Sequence, residues 1–126
     1  MRPDEIVDRY LQAVTERSLP ALEAIVDPDY TFREWPNAIN PQGGERDLAT
    51  SRAGLEHART LLAEHSFDVH EHLVHGDTVV SRMTWRGTLA ATGQELTAHI
   101  SQHTTVRDGR ILRTESFDCY EPFAQG

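Results

Sequence analysis

The sequence predicts an α+β fold, in which a cone-shaped, curved β-sheet, antiparallel or mixed, packs on three N-terminal helices. Apolar residues in the first half recur at the spacing of amphipathic helices, whereas from Phe67 onward they mostly alternate as in strands. Turn signals separate these later strands, which indicates a meander. With 126 residues, of which 38% are hydrophobic, the chain is large enough for one core, so we expect a single domain over residues 1–126.

Three segments have the pattern of helices: residues 3–17, 19–26 and 48–65. In the first, Ile6, Tyr10 and Ala13 form an apolar stripe, and Pro3 followed by two acids marks the start. The second is short and is ended by the turn sequence DPD. The third contains Gly54, which costs about 1 kcal/mol relative to alanine inside a helix.

Five segments have the pattern of strands: residues 30–35, 67–75, 78–90, 95–107 and 110–122. The first is short and rich in aromatic residues, which favour strands. Asp108–Gly109 is a strong hairpin signal between the last two strands. The segment at residues 36–47 is rich in proline, asparagine and glycine, so it is predicted to be a loop.

Four polar residues fall at positions where their neighbours predict a core. Glu34 shares a strand face with Phe32, and Gln102 is the strongly polar exception on an otherwise apolar face. Tyr10 places a hydroxyl on the first helical stripe, and Asp118 lies among aromatic residues in ESFDCYEPF. A buried carboxylate either pairs with a cation or shifts its pKa.

Each of these residues also has an ordinary structural explanation. Tyr10 fits a core tyrosine, Gln102 a satisfied buried amide, Glu34 a strand end in water, and Asp118 an arginine partner. Taken together they predict a cavity lined with acid–base groups, which is the usual form of an active site.

Composition excludes several function classes. The net charge of −8 has no basic cluster, so neither nucleic acid nor an anionic membrane is an expected partner. A single cysteine excludes an internal disulfide, and the sequence has neither a signal-peptide pattern nor a run of transmembrane length. We therefore expect a cytoplasmic protein.

The histidines suggest a metal site only weakly. His70 and His72 are two apart and are expected on one strand face, where His99 or His103 would complete a site. Seven histidines in 126 residues make chance pairs common, so a solvated strand face is the better interpretation. We expect no metal and no organic cofactor.

Three stretches carry a family resemblance: IVDRYLQAVTERSLPALEAIVDPDYTFRE, VRDGRI and SFDCYEPF. With the late meander, they resemble the nuclear transport factor 2-like superfamily, in particular its SnoaL-like branch, over nearly the whole chain. The resemblance implies a cystatin-like roll that is commonly dimeric through the sheet. The superfamily includes ketosteroid isomerases, polyketide cyclases, limonene-type epoxide hydrolases, dehydratases and non-catalytic binding modules, so the fold alone selects no function.

The resemblance to ketosteroid isomerases implies roles for three residues. Tyr10 matches their oxyanion-hole tyrosine, Glu34 falls where their aspartate base stands, and Gln102 lies near their second oxyanion donor. Glutamate is one methylene longer than the aspartate of that family, which changes the reach of the base.

The other enzymes of the superfamily match less well. The epoxide hydrolase pattern is met by Arg82 and Asp118, which implies that Arg82 orients Asp118 and keeps it ionised. Thr84, however, stands where that family has a carboxylate. The cyclases pair a histidine with an aspartate near Asp118, and His103 is the nearest candidate although it falls on the polar face.

The sequence therefore supports two hypotheses. In the first, the chain is an enzyme of isomerase or cyclase type acting next to a carbonyl group of a small apolar substrate, with Glu34 or Asp118 as the base and with Tyr10 and Gln102 stabilising an enolate. In the second, it is a non-catalytic module that binds a hydrophobic ligand or dimerises. The residues expected to contact substrate or ligand are Phe32, Trp35, Trp85, His99 and His103.

Overall fold

The structure is a computed structural model that describes residues 1–123. Within them, the elements follow in this order: α1 (Pro3–Glu16), α2 (Leu19–Ile25), β1 (Val26–Glu34), β2 (Gly44–Asp47), α3 (Leu48–Leu61), β3 (Leu62–His75), β4 (Thr78–Leu89), β5 (Glu95–Arg107) and β6 (Arg110–Tyr120). This arrangement confirms the predicted α+β fold. None of the helices in this part of the chain is long and apolar enough to cross a membrane.

The six strands form one mixed sheet in the order β2-β1-β6-β5-β4-β3. β1 runs parallel to β6, and every other neighbouring pair is antiparallel. The four later strands form the predicted meander, and β6 returns to the interior of the sheet to pair with β1. The N-terminal and C-terminal parts of the fold are therefore joined through β6.

Three element boundaries differ from the sequence prediction. β1 begins at Val26, directly after α2, and α3 ends at Leu61, so that the four residues after it belong to β3. The predicted loop contains β2, where Arg46 lies opposite Phe32. β2 has little strand propensity, and its extended form depends on pairing with β1.

The core lies between the helices and the sheet face that packs on them, which we call the inner face. Ile6, Val7 and Leu11 of α1 are buried against inner-face residues that include Met83 and Ile111. Full burial of each such aliphatic side chain stabilises the fold by about 1.5–3 kcal/mol. Strand residues alternate strictly in β5, so every second side chain of this strand points to the inner face.

Candidate active site

A cavity of about 170 Å³ opens on the inner face between α1, β1, β2 and strands β3–β6. We call it the Asp118 cavity. Its lining contains Tyr10, Val14, Phe32, Glu34, Arg46, Phe67, Trp85, Ile100, Gln102, Ser116, Asp118 and Tyr120. The structure thus brings together the four residues that the strand and helix faces predicted, along with both Phe32 and Trp85.

Three residues of β6 face this cavity because they alternate along the strand: Ser116, Asp118 and Tyr120. Ser116 Oγ donates a 2.5 Å hydrogen bond to Asp118 Oδ1 and accepts one of 3.2 Å from Gln102 Nε2. Gln102 lies directly opposite Ser116 in the β5–β6 ladder. A chain of hydrogen bonds therefore leads from the amide through the hydroxyl to the carboxylate.

The environment of Asp118 favours its protonated form. Burial raises the pKa of the carboxyl, the hydrogen bond from Ser116 opposes this, and the charge of Glu34 raises the pKa further. Arg46 lowers it by a smaller contribution. Burial, together with the charges of Asp118 and Glu34, also raises the pKa of Tyr120, so its phenol stays protonated. The pKa of Asp118 is shifted toward the range in which a carboxyl can both give and accept a proton.

Glu34 closes the other side of the cavity at the end of β1. It is half-buried, and Asn37 Nδ2 donates a 2.8 Å hydrogen bond to its Oε2. The carboxylate is held by a residue of the following loop, which fixes one of its oxygens. Glu34 and Asp118 therefore bring two carboxyl groups to one small cavity, and the charge of the first acts on the second.

Tyr10 and Tyr30 form a buried pair behind the carboxyl groups. Their hydroxyl oxygens are 2.9 Å apart, and Tyr10 is 8% exposed whereas Tyr30 is 1% exposed. Burial raises the pKa of both phenols, so both carry a proton. Only one proton can occupy the bond between them. When Tyr30 donates that bond, the proton of Tyr10 is available to an oxygen atom in the cavity.

Arg46 is a cavity residue that the sequence did not reveal. Its guanidinium lies over the ring of Phe32, with Cζ 4.6 Å from the ring centroid. Its Nε is buried and has no hydrogen-bond partner among the described residues. No ion pair of Arg46 is formed with any residue in the range 1–123. The only sequence feature that could indicate Arg46 is its position directly before Asp47. Asp47 caps α3 by accepting a hydrogen bond from the Thr50 amide.

The expected pairing of Arg82 with Asp118 does not form. Met83 and Trp85 of β4 point to the inner face, so Arg82 points to the opposite, outer face. There its Nε is 3.8 Å from Oε1 of Glu71, and the side chain is 64% exposed. The period of two in β4 therefore separates Arg82 from the cavity.

Three residues expected to contact substrate also lie outside the Asp118 cavity. His99 and His103 alternate with the inner-face residues of β5 and are exposed on the outer face. Trp35 follows β1, stacks on Phe117 and donates a 3.1 Å hydrogen bond to Glu115. These side chains form part of the outer surface of the sheet.

His70 and His72 do not share a face, contrary to the sequence prediction. A β-bulge between Val69 and Glu71 makes His70 the extra residue, which turns it outward. His72 points inward, where its Nδ1 lies 2.7 Å from Ser81 Oγ. Among the described residues, no group of three metal-ligating side chains lies close enough to hold an ion.

Ser81, His72 and Asp8 form a hydrogen-bonded chain whose residue types match those of a hydrolase triad. His72 Nε2 is 2.7 Å from Asp8 Oδ1. Ser81, however, is completely buried and lines none of the cavities described here, so no substrate can reach its hydroxyl. The chain instead ties α1 to strands β3 and β4.

Comparison with known proteins shows which family the chain belongs to. The family model of the SnoaL-like domain matches residues 7–114, whereas no curated protein sequence gives a significant match. IdmH from Streptomyces antibioticus, a candidate polyketide cyclase, is 22% identical, with 94% of this chain and 92% of that chain covered and a TM-score of 0.78. TerC, co-crystallised with polyporic acid, is also 22% identical, with coverages of 92% and 90% and a TM-score of 0.78.

An NTF2-like protein of unknown function from Burkholderia pseudomallei is 24% identical, with 94% of this chain and 92% of that chain covered and a TM-score of 0.79. At these identities, the solved structures establish the fold alone. The family match spans most of the residues, and the arrangement of helices before a curved mixed sheet agrees with these structures. The chain therefore belongs to the SnoaL-like domain family.

Proposed function

We propose that the protein is a cofactor-independent enzyme that moves a proton next to a carbonyl group of a small, largely apolar substrate, as an isomerase or a cyclase does. The observation that carries this proposal is the position of Asp118. Its carboxyl is partly buried in a cavity with aromatic and aliphatic walls, has a raised pKa, and belongs to the Ser116–Gln102 hydrogen-bond chain. A carboxyl in that state can take a proton from carbon and return it to another atom.

The hydrogen-bond chain links the proton transfer to stabilisation of the enolate. While Asp118 is ionised, it accepts from Ser116, which accepts from Gln102 Nε2. The Oε1 of Gln102 is buried and has no partner within residues 1–123. The amide nitrogen of Gln102 carries two N–H groups, and its bond to Ser116 uses one of them. The second N–H group can donate to the enolate oxygen that forms when Asp118 takes a proton from carbon.

Two further groups support the developing charge. Tyr10 has a protonated hydroxyl in the cavity wall, and Arg46 supplies a positive charge that no carboxylate neutralises directly. Preorganised donors of this kind act strongly in a cavity from which water is excluded. Glu34 is the second acid–base group. Its charge raises the pKa of Asp118, so the two carboxyls are suited to different steps of one reaction.

The relatives support small-molecule chemistry. IdmH is a candidate polyketide cyclase, and TerC was crystallised with polyporic acid. Both share the fold of this chain. Aldol-type cyclisation of a polyketide proceeds through a carbanion next to a carbonyl, and this is the chemistry that we propose for the Asp118 cavity.

The test is exchange of hydrogen for deuterium next to the carbonyl of cyclic ketones such as 2-tetralone, followed by NMR in D₂O. We expect the protein to accelerate this exchange and Asp118→Asn to reduce the acceleration by about 10²–10⁴-fold, the usual contribution of a positioned base. Glu34→Gln should alter the pH profile. Asp68→Asn is the control, because Asp68 is exposed on the outer face of β3.

Full acceleration in both Asp118→Asn and Glu34→Gln would show that the proposal is wrong. Saturable binding of the ketones without exchange would favour the alternative, a non-catalytic module that holds a hydrophobic ligand.

A further inference from the structure

A second cavity of about 150 Å³ lies next to the Asp118 cavity and extends under α3. We call it the α3 cavity. Tyr10, Val14 and Arg46 line both cavities, so these three side chains form the boundary between them. The rest of its lining is largely apolar and includes Leu55 and Ala58 of α3. A ligand bound in one cavity can therefore contact side chains that also line the other cavity.

Arg46 extends across this boundary toward α3. A Cβ atom added to Gly54 would lie 3.9 Å from Arg46 Nη1, and no other atom would approach it within 4 Å. The helix does not need glycine for its backbone at this position, and glycine costs it about 1 kcal/mol relative to alanine. The missing side chain leaves free space beside the guanidinium.

The α3 cavity is lined by two residues with buried N–H groups that lack partners. Arg46 Nε and His65 Nε2 are both buried, and neither makes a hydrogen bond with a residue in the described part of the chain. Trp85 Nε1 donates a 3.2 Å hydrogen bond to His65 Nδ1, so the ring proton of a neutral His65 must be on Nε2. Both unpaired groups are therefore donors.

The state of His65 agrees with this arrangement. Burial lowers the pKa of the imidazole, and the charge of Arg17 lowers it further. Interaction with the backbone carbonyls of Thr15 and Val14 opposes the shift, so Nε2 lies near these carbonyls, although neither has the alignment of a hydrogen bond with it. His65 is thus a neutral donor that lines the same cavity as the permanently charged Arg46.

The carboxylates of the neighbouring cavity do not satisfy Arg46. Asp118 accepts from Ser116, and Glu34 accepts from Asn37. A partly buried guanidinium with an unpaired N–H is costly, and an anion with two oxygen acceptors relieves that cost best. The cavity wall offers donors to such an anion and otherwise mostly apolar contact.

We propose that Arg46 and His65 form an anion-binding subsite in the α3 cavity, which takes a carboxylate or phenolate oxygen of the ligand. The apolar skeleton of that ligand would extend past Tyr10 into the Asp118 cavity. The placement of the reacting carbon at Asp118 rests on the proposed function, whereas the anion subsite does not. The substrate class that follows is an acidic, largely apolar carbonyl compound.

The test compares binding of benzoate and benzamide by titration calorimetry. The two probes have nearly the same shape and differ in charge. We expect benzoate to bind at least tenfold more tightly than benzamide, and Arg46→Gln to remove this preference. Arg46→Lys should keep part of it, because the charge remains but the planar fork of donors is lost. Arg33→Gln is the control, because Arg33 is half-exposed and paired with Glu45.

A second variant keeps the test valid if Arg46→Gln fails to fold. Gly54→Leu improves the helix propensity of α3 and fills the free space, so it should weaken binding of both probes while the fold remains intact. Titration of 4-nitrophenol distinguishes the two anion classes. Its absorbance should show a lowered pKa when bound if the subsite takes phenolates, and no change if it takes carboxylates alone.

Equal affinities for benzoate and benzamide would overturn the proposal. So would benzoate binding that survives Arg46→Gln, or the absence of benzoate binding at millimolar concentration. Asp118→Asn should leave benzoate binding in place even though it stops proton exchange. Loss of exchange activity with retained benzoate preference would therefore separate the anion subsite from the proposed reaction.

Discussion

At the scale of single residues, the chemistry depends on the balance between burial and hydrogen bonding at Asp118. Burial favours the neutral carboxyl, and the hydrogen bond from Ser116 favours the carboxylate. The first effect is larger, so the folded protein holds the proton of Asp118 to higher pH than an unfolded chain does. A carboxyl that only stabilised the fold through a cation would show the opposite shift.

The raised pKa predicts how Asp118→Asn changes stability with pH. Ionising Asp118 costs the folded state free energy, and this cost appears as the pH rises above the ordinary pKa of 3.8 and is complete above the folded pKa. The variant lacks that cost. We expect its free energy of unfolding to equal that of the original chain below pH 3.8 and to exceed it at neutral pH.

Urea denaturation at a series of pH values measures this difference. Ser116→Ala is a useful companion, because it removes the hydrogen bond that favours the carboxylate and should raise the pKa of Asp118 further. A variant Asp118→Asn that is less stable than the original chain at neutral pH would show that the carboxylate is a structural anchor.

The sequence predicted the cavity residues that are polar exceptions on apolar faces. Tyr10, Glu34, Gln102 and Asp118 were found in this way, and all four line the same cavity. Ser116 lies two residues before Asp118, so the same alternation would have found it. Its small hydroxyl does not stand out in the sequence.

The sequence predicts the positions of arginine side chains less well than those of carboxyl groups. Arg46 lies in a segment that looks like a loop, and its side chain enters the cavity only because β2 pairs with β1. The family pattern indicates Arg82 as the partner of Asp118. The alternation of β4, however, directs the Arg82 side chain to the outer face. A long charged side chain tolerates either face, so the sequence alone does not fix its position.

At the scale of the strand, Gly87 allows the wall of the Asp118 cavity to form. Gly87 and Trp85 lie on the same face of β4, and a Cβ atom on Gly87 would overlap the indole ring. The absence of a side chain lets the ring lie flat along the strand, from where its Nε1 donates to His65 Nδ1. Gly87 therefore sets the position of the Trp85 side chain and, through the hydrogen bond, that of His65.

Gly87→Ala should displace the indole of Trp85 and break its hydrogen bond to His65. We expect a loss of stability of about 1–3 kcal/mol, typical of overpacking, together with a change in tryptophan fluorescence. Thermal unfolding and emission spectra measure the two effects. Gly44→Ala is the control, since a Cβ atom there meets nothing within 4 Å. Unchanged emission would mean that Gly87 does not position the ring.

Elements with strong local signals were predicted well, and elements that depend on distant partners were not. β5 has strict alternation and agrees with its predicted limits, and the turn at Asp108–Gly109 is as expected. β2 has no such signal, because it is extended only through its pairing with β1. The sequence also gives no sign of the bulge in β3, so the strand face predicted for His72 is wrong.

At the scale of the whole molecule, the outer face of the sheet presents exposed aromatic surface. Trp35 and Phe117 stack with ring centroids 5.9 Å apart, and each is 40% exposed. His103 lies beside them, 5.2 Å from the Phe117 ring. We propose that two copies of the chain associate through this face, as the family resemblance implies, because exposed aromatic pairs of this kind are common at protein interfaces.

Phe117→Glu should convert the associated protein into a monomer, since it places a charge at the centre of the proposed contact. Analytical ultracentrifugation gives the mass of each species. Leu61→Glu is the matched control, because Leu61 is exposed at the end of α3, on the opposite side of the sheet. A monomeric original chain, or a dimer that tolerates Phe117→Glu, would contradict the proposal.

The place of β6 in the sheet has a consequence for biosynthesis. It lies between β1 and β5, yet it is the last of the six described strands in chain order. The hydrogen bond from Trp35 to Glu115 joins residues 80 positions apart. Such distant pairing slows folding, because a long stretch of chain must be ordered before the contact forms. In a ribosome-bound chain that lacks β6, β1 can pair only with β2, and Asp118 is absent. The cavity therefore cannot capture a ligand before β6 has left the ribosome, and a ligand can favour folding only from that point on.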